Sequence, residues 1–96
     1  MNSYCLVGRV IDEPENCQTQ GGLKYLKVKL EVDKYYKESE SKEVYEVSLW
    51  GTLAEEPISK GSVIGVKGHL SANSYEKENR TYFNCSLIGE KISYYA

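Results

Sequence analysis

The chain has 96 residues and a formal net charge of −2, with 41% hydrophobic and 27% charged residues. This length suits one domain with a modest core and leaves little room for a buried catalytic cavity. The slight acidity argues against binding of duplex DNA through bulk positive charge. No segment approaches the ~20 apolar residues of a membrane span, and the N-terminus does not resemble a signal peptide. We therefore expect a single domain over residues 1–96.

Three cysteines, Cys5, Cys17 and Cys85, occur without any CxxC spacing. An odd number with this spacing indicates reduced thiols used as small apolar side chains, and not a disulfide framework or a metal site. We expect a cytoplasmic, reducing compartment, and neither a metal nor another cofactor.

Strand periodicity dominates the first half of the chain. The first predicted strand, Tyr4–Ile11, contains Gly8, which suits a bulge or a sharp bend. The second, Lys24–Val32, follows a Gly21-Gly22 turn and alternates cleanly. Its two faces carry Leu26, Val28, Leu30 and Val32 on one side and Tyr25, Lys27, Lys29 and Glu31 on the other.

In the third predicted strand, Val44–Trp50, alternation places the only tryptophan on the face opposite Val47 and Leu49. Tyr45, Val47 and Leu49 share the face expected to be core. Trp50 lies on the opposite face with Val44, Glu46 and Ser48. The following residues, 52–57, leave room for a single helical turn.

The rest of the chain predicts a hairpin. Val63–Leu70 is the fourth strand, Asn73–Arg80 a polar hairpin tip and Thr81–Ile88 the fifth strand. Gly65 and Gly68 fit the sharp bending of a strand in a barrel. Five strands with turns every ~8–12 residues predict an all-β, small closed barrel.

The patterns of enzyme sites are weak. The only histidine, His69, has no partner at a recognisable spacing, and a solvated or groove-lining role is the simpler interpretation. Gly21-Gly22 is a turn and not a phosphate-binding loop. We predict no catalytic residues and no enzymatic activity.

A binding function has better support. Recognition of single strands needs flat rings for bases and cations for phosphates. Candidate rings at strand ends or hairpin tips are Trp50, Tyr35, Tyr36 and Tyr75. Lys34 and Lys37 flank the tyrosine pair, and Lys77 and Arg80 follow Tyr75. Packing of Trp50 in the core, or of the tyrosines over a hairpin, is the alternative for each ring.

Several segments resemble the OB-fold family of bacterial single-stranded DNA-binding proteins, in order and over nearly the whole chain. The most specific is Val47-Ser48-Leu49-Trp50-Gly51-Thr52-Leu53-Ala54-Glu55, which resembles the family's Val-Val-Leu-Phe/Trp-Gly-Lys-Leu-Ala-Glu segment. The others are Leu6-Val7-Gly8-Arg9 with Pro14-Glu15, Gln20-Gly21-Gly22, Lys60-Gly61-Ser62 and Val66-Lys67-Gly68-His69-Leu70.

The resemblance implies a five-stranded OB-fold barrel, with one short helical turn between strands three and four, that binds single-stranded DNA in replication, recombination or repair. Trp50, Tyr36 and Tyr75 match or lie near base-stacking positions, whereas Val44 stands where relatives often carry a ring. A bulge would exchange the faces of Tyr35 and Tyr36. The candidate phosphate contacts are Lys24, Lys27, Lys29, Lys34, Lys37, Lys67, Lys77 and Arg80.

The resemblance also implies a homo-oligomer, a tetramer or alternatively a dimer. The sequence stops at Ala96, whereas family members commonly continue into an acidic tail that recruits other enzymes. We therefore expect a short form without tail-mediated partners. Two alternatives stay open: an OB-fold interaction subunit such as a primosome-type accessory protein, and an oligosaccharide-binding OB domain.

Overall fold

The computed structural model describes residues 1–33 and 42–96. In these residues the chain forms strands joined by short turns, with one 3-10 helix. The elements are β1 (Tyr4–Val10), β2 (Glu15–Gln18), β3 (Lys24–Asp33), β4 (Lys42–Trp50), the 3-10 helix (Gly51–Glu55), β5 (Val63–Lys77) and β6 (Arg80–Tyr94).

Five of these strands close into a barrel. The order is β1-β5-β6-β4-β3, and β3 returns to β1 through the pairs Arg9–Glu31 and Val10–Leu30. The contact between β4 and β6 is parallel, and the other pairings are antiparallel. The 3-10 helix lies between β4 and β5, which are the third and fourth predicted strands. The predicted all-β, five-stranded OB-fold barrel is therefore confirmed.

The alternation in β3 and β4 correctly separates the core from the surface. Among residues 1–33 and 42–96, nine apolar side chains are buried: Val10, Leu26, Val28, Leu30, Val47, Leu49, Ile58, Ile64 and Val66. Complete burial of one such side chain is worth about 1.5–3 kcal/mol. Tyr45, predicted to share the core face, is only half-buried, because the pairing of β4 with β6 begins at Val47 and leaves one side of Tyr45 uncovered.

Glycine permits the close approach of β5 and β6. A Cβ atom on Gly68 would lie 1.7 Å from the carbonyl oxygen of Ile88. The pairing shifts register between Lys67 and Gly68, where β6 contributes an additional residue. The prediction of a bend at Gly68 is confirmed, and the bend lets a long hairpin join a small barrel.

The predicted elements differ from the structure in three places, and one is the last strand, because β6 runs to Tyr94 where the prediction ends it at Ile88. A short strand, β2, follows the first strand and was not predicted, because its four residues have no apolar alternation. The predicted polar tip at Asn73–Arg80 is strand up to Lys77, and only Glu78 and Asn79 turn, with φ angles of 54° and 65°. Left-handed φ at both positions is the geometry of a tight two-residue hairpin turn.

The N-terminal residues are attached to β5 by a side chain. The Asn2 amide donates to the carbonyl oxygen of Leu70 at 2.7 Å, and its oxygen accepts from the Leu70 N–H at 2.8 Å. These bonds continue the pairing of β1 along the edge of β5. Over the described ranges, no helix has the length and apolar character needed to cross a membrane.

Candidate nucleic-acid interface

Trp50 forms a stacked pair with Tyr25. The two residues are direct neighbours across β3 and β4, and their ring centroids lie 4.2 Å apart with planes 18° apart. The indole Nε1 donates to the Ser48 hydroxyl at 3.0 Å, and that hydroxyl donates to the carbonyl oxygen of Leu87 at 3.3 Å. Trp50 is half-buried, so one part of the ring packs on protein while the remainder faces outward. This arrangement suits a preorganised stacking surface.

The ring pair opens onto a groove on the outer face of the barrel. The cavity volume is about 360 Å³, near the lower end of the ~300–1,000 Å³ typical of sites for small ligands. The side chains that line it on the outer face come from three strands: Tyr25 and Lys27 of β3; Glu46, Ser48 and Trp50 of β4; and Ser86 and Ile88 of β6.

The two lysines of this face have carboxylate partners. Lys27 Nζ lies 4.0 Å from Glu46 Oε1, and Lys29 Nζ lies 4.0 Å from Asp12 Oδ2. Interactions with Cys17, then Tyr25 and Glu46, raise the pKa of the Lys27 ammonium. Lys27 and Lys29 therefore share the predicted face, but an approaching phosphate must compete with carboxylates for each of them.

A second stacked pair lies on the β5–β6 hairpin. Tyr75 and Tyr82 are cross-strand neighbours with ring centroids 5.3 Å apart and planes 18° apart. By alternation Tyr82 lies on the same face of β6 as Ser86 and Ile88, which line the groove beside Trp50. The outer face of β6 therefore connects the two ring pairs.

Two basic residues extend the second pair towards the turn. Lys77 and Arg80 are cross-strand neighbours, and each lies two residues from Tyr75 or Tyr82 on the same face. Both side chains are exposed. Among residues 1–33 and 42–96, no carboxylate lies within ion-pair distance of either. This end of the ribbon offers cations next to rings, as single-strand binding requires.

The remaining predicted cations lie elsewhere or outside the described residues. Lys67 lies on another face, in a pocket with Cys5, Lys91 and Tyr95. Lys24 is exposed at the start of β3, and its alternation places it on the face opposite Lys27. Four predicted site residues lie outside the described part of the chain: Lys34, Tyr35, Tyr36 and Lys37.

The prediction of site residues omitted Tyr25 and Tyr82. Tyr25 shares its face with Lys27 by simple alternation, which is a signal that the sequence contains. Tyr82 becomes recognisable only when the turn is reduced to two residues, because this register pairs it with Tyr75. Val44 lies on the outer face of β4 and is 53% exposed, so the position without a ring is open to solvent.

Comparisons with known proteins agree with this architecture. The family model "Single-strand binding protein family" matches residues 1–95. Single-stranded DNA-binding protein 2 of Streptococcus agalactiae is 31% identical over 97 residues, covering 95% of this chain and 74% of that protein. The single-stranded DNA-binding protein of Clostridium tetani is 33% identical over 101 residues, covering 98% of this chain and 70% of that protein.

Two solved structures share the fold. The Plasmodium falciparum SSB in complex with ssDNA superimposes with a TM-score of 0.76 at 17% identity, covering 100% of this chain and 96% of that one. A deletion mutant of the single-stranded DNA binding protein from Thermus aquaticus gives 0.79 at 26% identity, covering 100% of this chain and 51% of that one.

The match of the family model is nearly complete, and it coincides with the closed barrel and with the outer face that carries the rings. A family of this kind acts by binding, which confirms the prediction that the chain is not an enzyme. The chain belongs to the single-strand binding protein family.

Proposed function

We propose that the protein binds single-stranded DNA without strong sequence preference, for replication, recombination or repair. The observation that carries this proposal is the stacked Tyr25–Trp50 pair, open to a groove on the outer face of the barrel. Every base has a flat face, so stacking on such a ring tolerates any sequence and contributes about 1–3 kcal/mol per base.

The strand follows the outer face of β6 from one ring pair to the other. One base stacks against the exposed part of Trp50, and another against the Tyr75–Tyr82 pair. Lys77 and Arg80 then hold phosphates at the turn. Lys27 and Lys29 contribute less, because carboxylates already neutralise them.

The other predicted contacts complete this interface. Tyr36 or Tyr35 supplies a further ring, with Lys34 and Lys37 beside it, on the segment that joins β3 to β4. Lys24 and Lys67 lie away from the groove. They attract the strand only through long-range electrostatic forces, and salt screens this attraction.

The assembly is a homo-oligomer, a tetramer or alternatively a dimer, located in the cytoplasm. Large apolar side chains outside the groove support association: Tyr95 is 64% exposed and Val7 48% exposed. The free state of Cys5, Cys17 and Cys85 supports a reducing compartment. Sedimentation of the protein without DNA determines the number of copies.

Binding of a labelled oligonucleotide tests the proposal. Fluorescence anisotropy of oligo-dT should rise with wild-type protein and should change little with a duplex of equal length. Trp50→Ala should weaken binding by about 1–3 kcal/mol while the protein still unfolds cooperatively in urea, because Trp50 is not part of the buried core. Equal affinity of both proteins for oligo-dT would contradict the proposed site.

A further inference from the structure

The β5–β6 ribbon, residues 71–86, leaves the barrel at one cross-strand pair, Leu70 and Leu87. The pairing of β1 with β5 ends at Gly68, and β6 first meets β4 at Leu87, opposite Val47. In the part of the chain that the structure describes, the two strands of the ribbon pair only with each other. A two-stranded hairpin is marginally stable by itself, so the direction of the ribbon depends on what holds its base.

Asn2 holds one edge of this base. Its side-chain amide donates to the carbonyl oxygen of Leu70 at 2.7 Å, and its Oδ1 accepts from the Leu70 N–H at 2.8 Å. One planar amide thus binds both backbone groups of one residue, as a residue of a neighbouring strand would. Two bonds to one planar group oppose tilting of β5, which a single bond would not.

Ser48 holds the opposite edge. Its hydroxyl accepts from the indole Nε1 of Trp50 at 3.0 Å and donates to the carbonyl oxygen of Leu87 at 3.3 Å. Leu87 is the cross-strand partner of Leu70, so the Asn2 and Ser48 contacts hold the same pair from its two sides. The base of the ribbon is therefore connected directly to the ring on which a base stacks.

The second ring pair lies far from this base. Tyr75 is five residues from Leu70, which is about 17 Å along the strand. A tilt of about 10° at the base would move Tyr75 by about 3 Å over that length. A gap of ~1 Å already removes up to about half of a dispersion contact. One DNA strand therefore stacks on both ring pairs only when the direction of the ribbon is fixed.

We propose that Asn2 and Ser48 are positioning residues, which set the direction of the ribbon and so hold the Tyr75–Tyr82 pair within reach of a strand stacked on Trp50. This inference rests on the proposed function and deepens it. With the ribbon held, the second contact is intramolecular and has a high effective concentration. With the ribbon loose, binding must first order it, which lowers affinity.

A double-mutant cycle tests the inference. Asn2 is exposed and lies on the β1 side of β5, away from β4 and Trp50, so it acts through the ribbon alone. Asn2→Leu keeps a similar shape and removes both polar groups. Oligo-dT of about 16 nucleotides is titrated by fluorescence anisotropy against wild type, Asn2→Leu, Tyr75→Ala/Tyr82→Ala and the variant that combines all three changes. Ser3→Ala, at the neighbouring exposed residue, is the control.

We expect Asn2→Leu to weaken binding about fivefold when both tyrosines are present, as for a modest net gain from hydrogen bonds. In the background without the two rings, the same change should cost less than about twofold. A general loss of stability would act equally in both backgrounds, because effects at distant sites add. Ser3→Ala should bind like wild type.

Ser48→Ala repeats the test from the other edge. Its loss of affinity should be at least that of Asn2→Leu, because it also releases the indole of Trp50, and the loss should shrink when the two tyrosines are absent. Ser48→Thr keeps the hydroxyl and should bind like wild type. A loss in Ser48→Thr equal to that in Ser48→Ala would overturn the role of this hydroxyl.

Two results for Asn2→Leu overturn the inference and leave the proposed function intact. One is an affinity equal to that of wild type, and the other is the same fold loss with and without the two tyrosines. If wild type binds no oligo-dT, the proposed function fails and the inference fails with it.

Discussion

The ring of Tyr25 lies against the ring of Trp50, with centroids 4.2 Å apart and planes 18° apart. The hydrogen bond from the indole Nε1 to Ser48 fixes the tilt of the same ring. Trp50 therefore lies in a defined orientation before any strand arrives, which reduces the ordering cost of binding. We therefore expect Tyr25 to contribute to binding by holding Trp50 as well as by its own surface.

Tyr25→Ala removes this support. We expect binding of oligo-dT to weaken by about 1–2 kcal/mol, as for loss of one stacking partner. The Trp50 emission of the free protein should shift to the red, because the indole gains contact with water. Tyr25→Phe keeps the ring and serves as the control, which should bind like wild type. Equal loss in both variants would point to the hydroxyl and contradict the stacking role.

Tyr82 and Phe83 are neighbours in sequence on opposite faces of the β5–β6 hairpin. We expect Tyr82→Ala to weaken binding by about 1–3 kcal/mol, because it breaks the second ring pair. Phe83→Ala removes a ring of similar size that does not face the proposed path, so affinity should stay near the wild-type value. Anisotropy titrations measure both. A larger loss of affinity in Phe83→Ala than in Tyr82→Ala would show that the strand follows the opposite face of the hairpin, and would contradict the proposed path.

The salt dependence of binding distinguishes exposed from paired cations. Each phosphate contact on a single strand contributes about 0.7 to the slope of log K against log salt. Lys77→Gln should reduce the slope by about this amount. Lys27→Gln should reduce it by less, because Glu46 already pairs with the Lys27 ammonium. Titrations at several salt concentrations give both slopes, and the reverse order would contradict the proposed path.

Gly68 is required by the barrel and not by the groove. A Cβ atom there would lie 1.7 Å from the Ile88 carbonyl oxygen, so Gly68→Ala must separate β5 from β6. We expect a loss of more than about 3 kcal/mol in the free energy of unfolding, measured with urea. Gly21→Ala is the control: its Cβ atom would find its nearest neighbour at 3.9 Å, and the change should stay within about 0.5 kcal/mol. Similar urea midpoints for the two variants would show that β5 and β6 do not approach this closely.

Tyr94 makes stability sensitive to alkali. Its hydroxyl donates to Glu56 at 2.6 Å, and this bond, followed by burial, raises its pKa from 10.0 to about 12. A raised pKa in the folded state contributes stability that is complete below pH 10.0 and is lost as the pH rises towards about 12. Tyr94→Phe should therefore lower the melting temperature near neutral pH and flatten its decline above pH 10.0. Tyr95→Phe is the control and should behave like wild type. A melting temperature of Tyr94→Phe that declines with pH as steeply as that of wild type would contradict this assignment.

The sequence predicts those parts of the fold that depend on local alternation. Leu26, Val28 and Leu30 are buried as expected, and Trp50 lies on the outer face of β4. Alternation fails in the β5–β6 ribbon, because both faces are exposed beyond the barrel and no apolar periodicity distinguishes strand from loop. The sequence therefore does not predict the turn at Glu78 and Asn79. Without this turn it does not predict the pairing of Tyr75 with Tyr82.

The groove depends on contacts that a single strand does not encode. The Tyr25–Trp50 pair requires the register between β3 and β4, and the ion pair of Lys27 with Glu46 requires the same register. Periodicity placed each of these four residues on the correct face but could not show which ones meet. The sequence therefore predicted lysines available for phosphates, where the structure places carboxylates beside them.

Trp50 is the only tryptophan of the chain, so its fluorescence reports on the proposed site alone. A titration with single-stranded oligonucleotide, repeated with duplex and at higher salt, tests the central claim most directly. We expect saturable quenching by the single strand, little change with duplex, and weaker binding as salt rises. Unchanged fluorescence together with no complex in a gel shift would contradict the account.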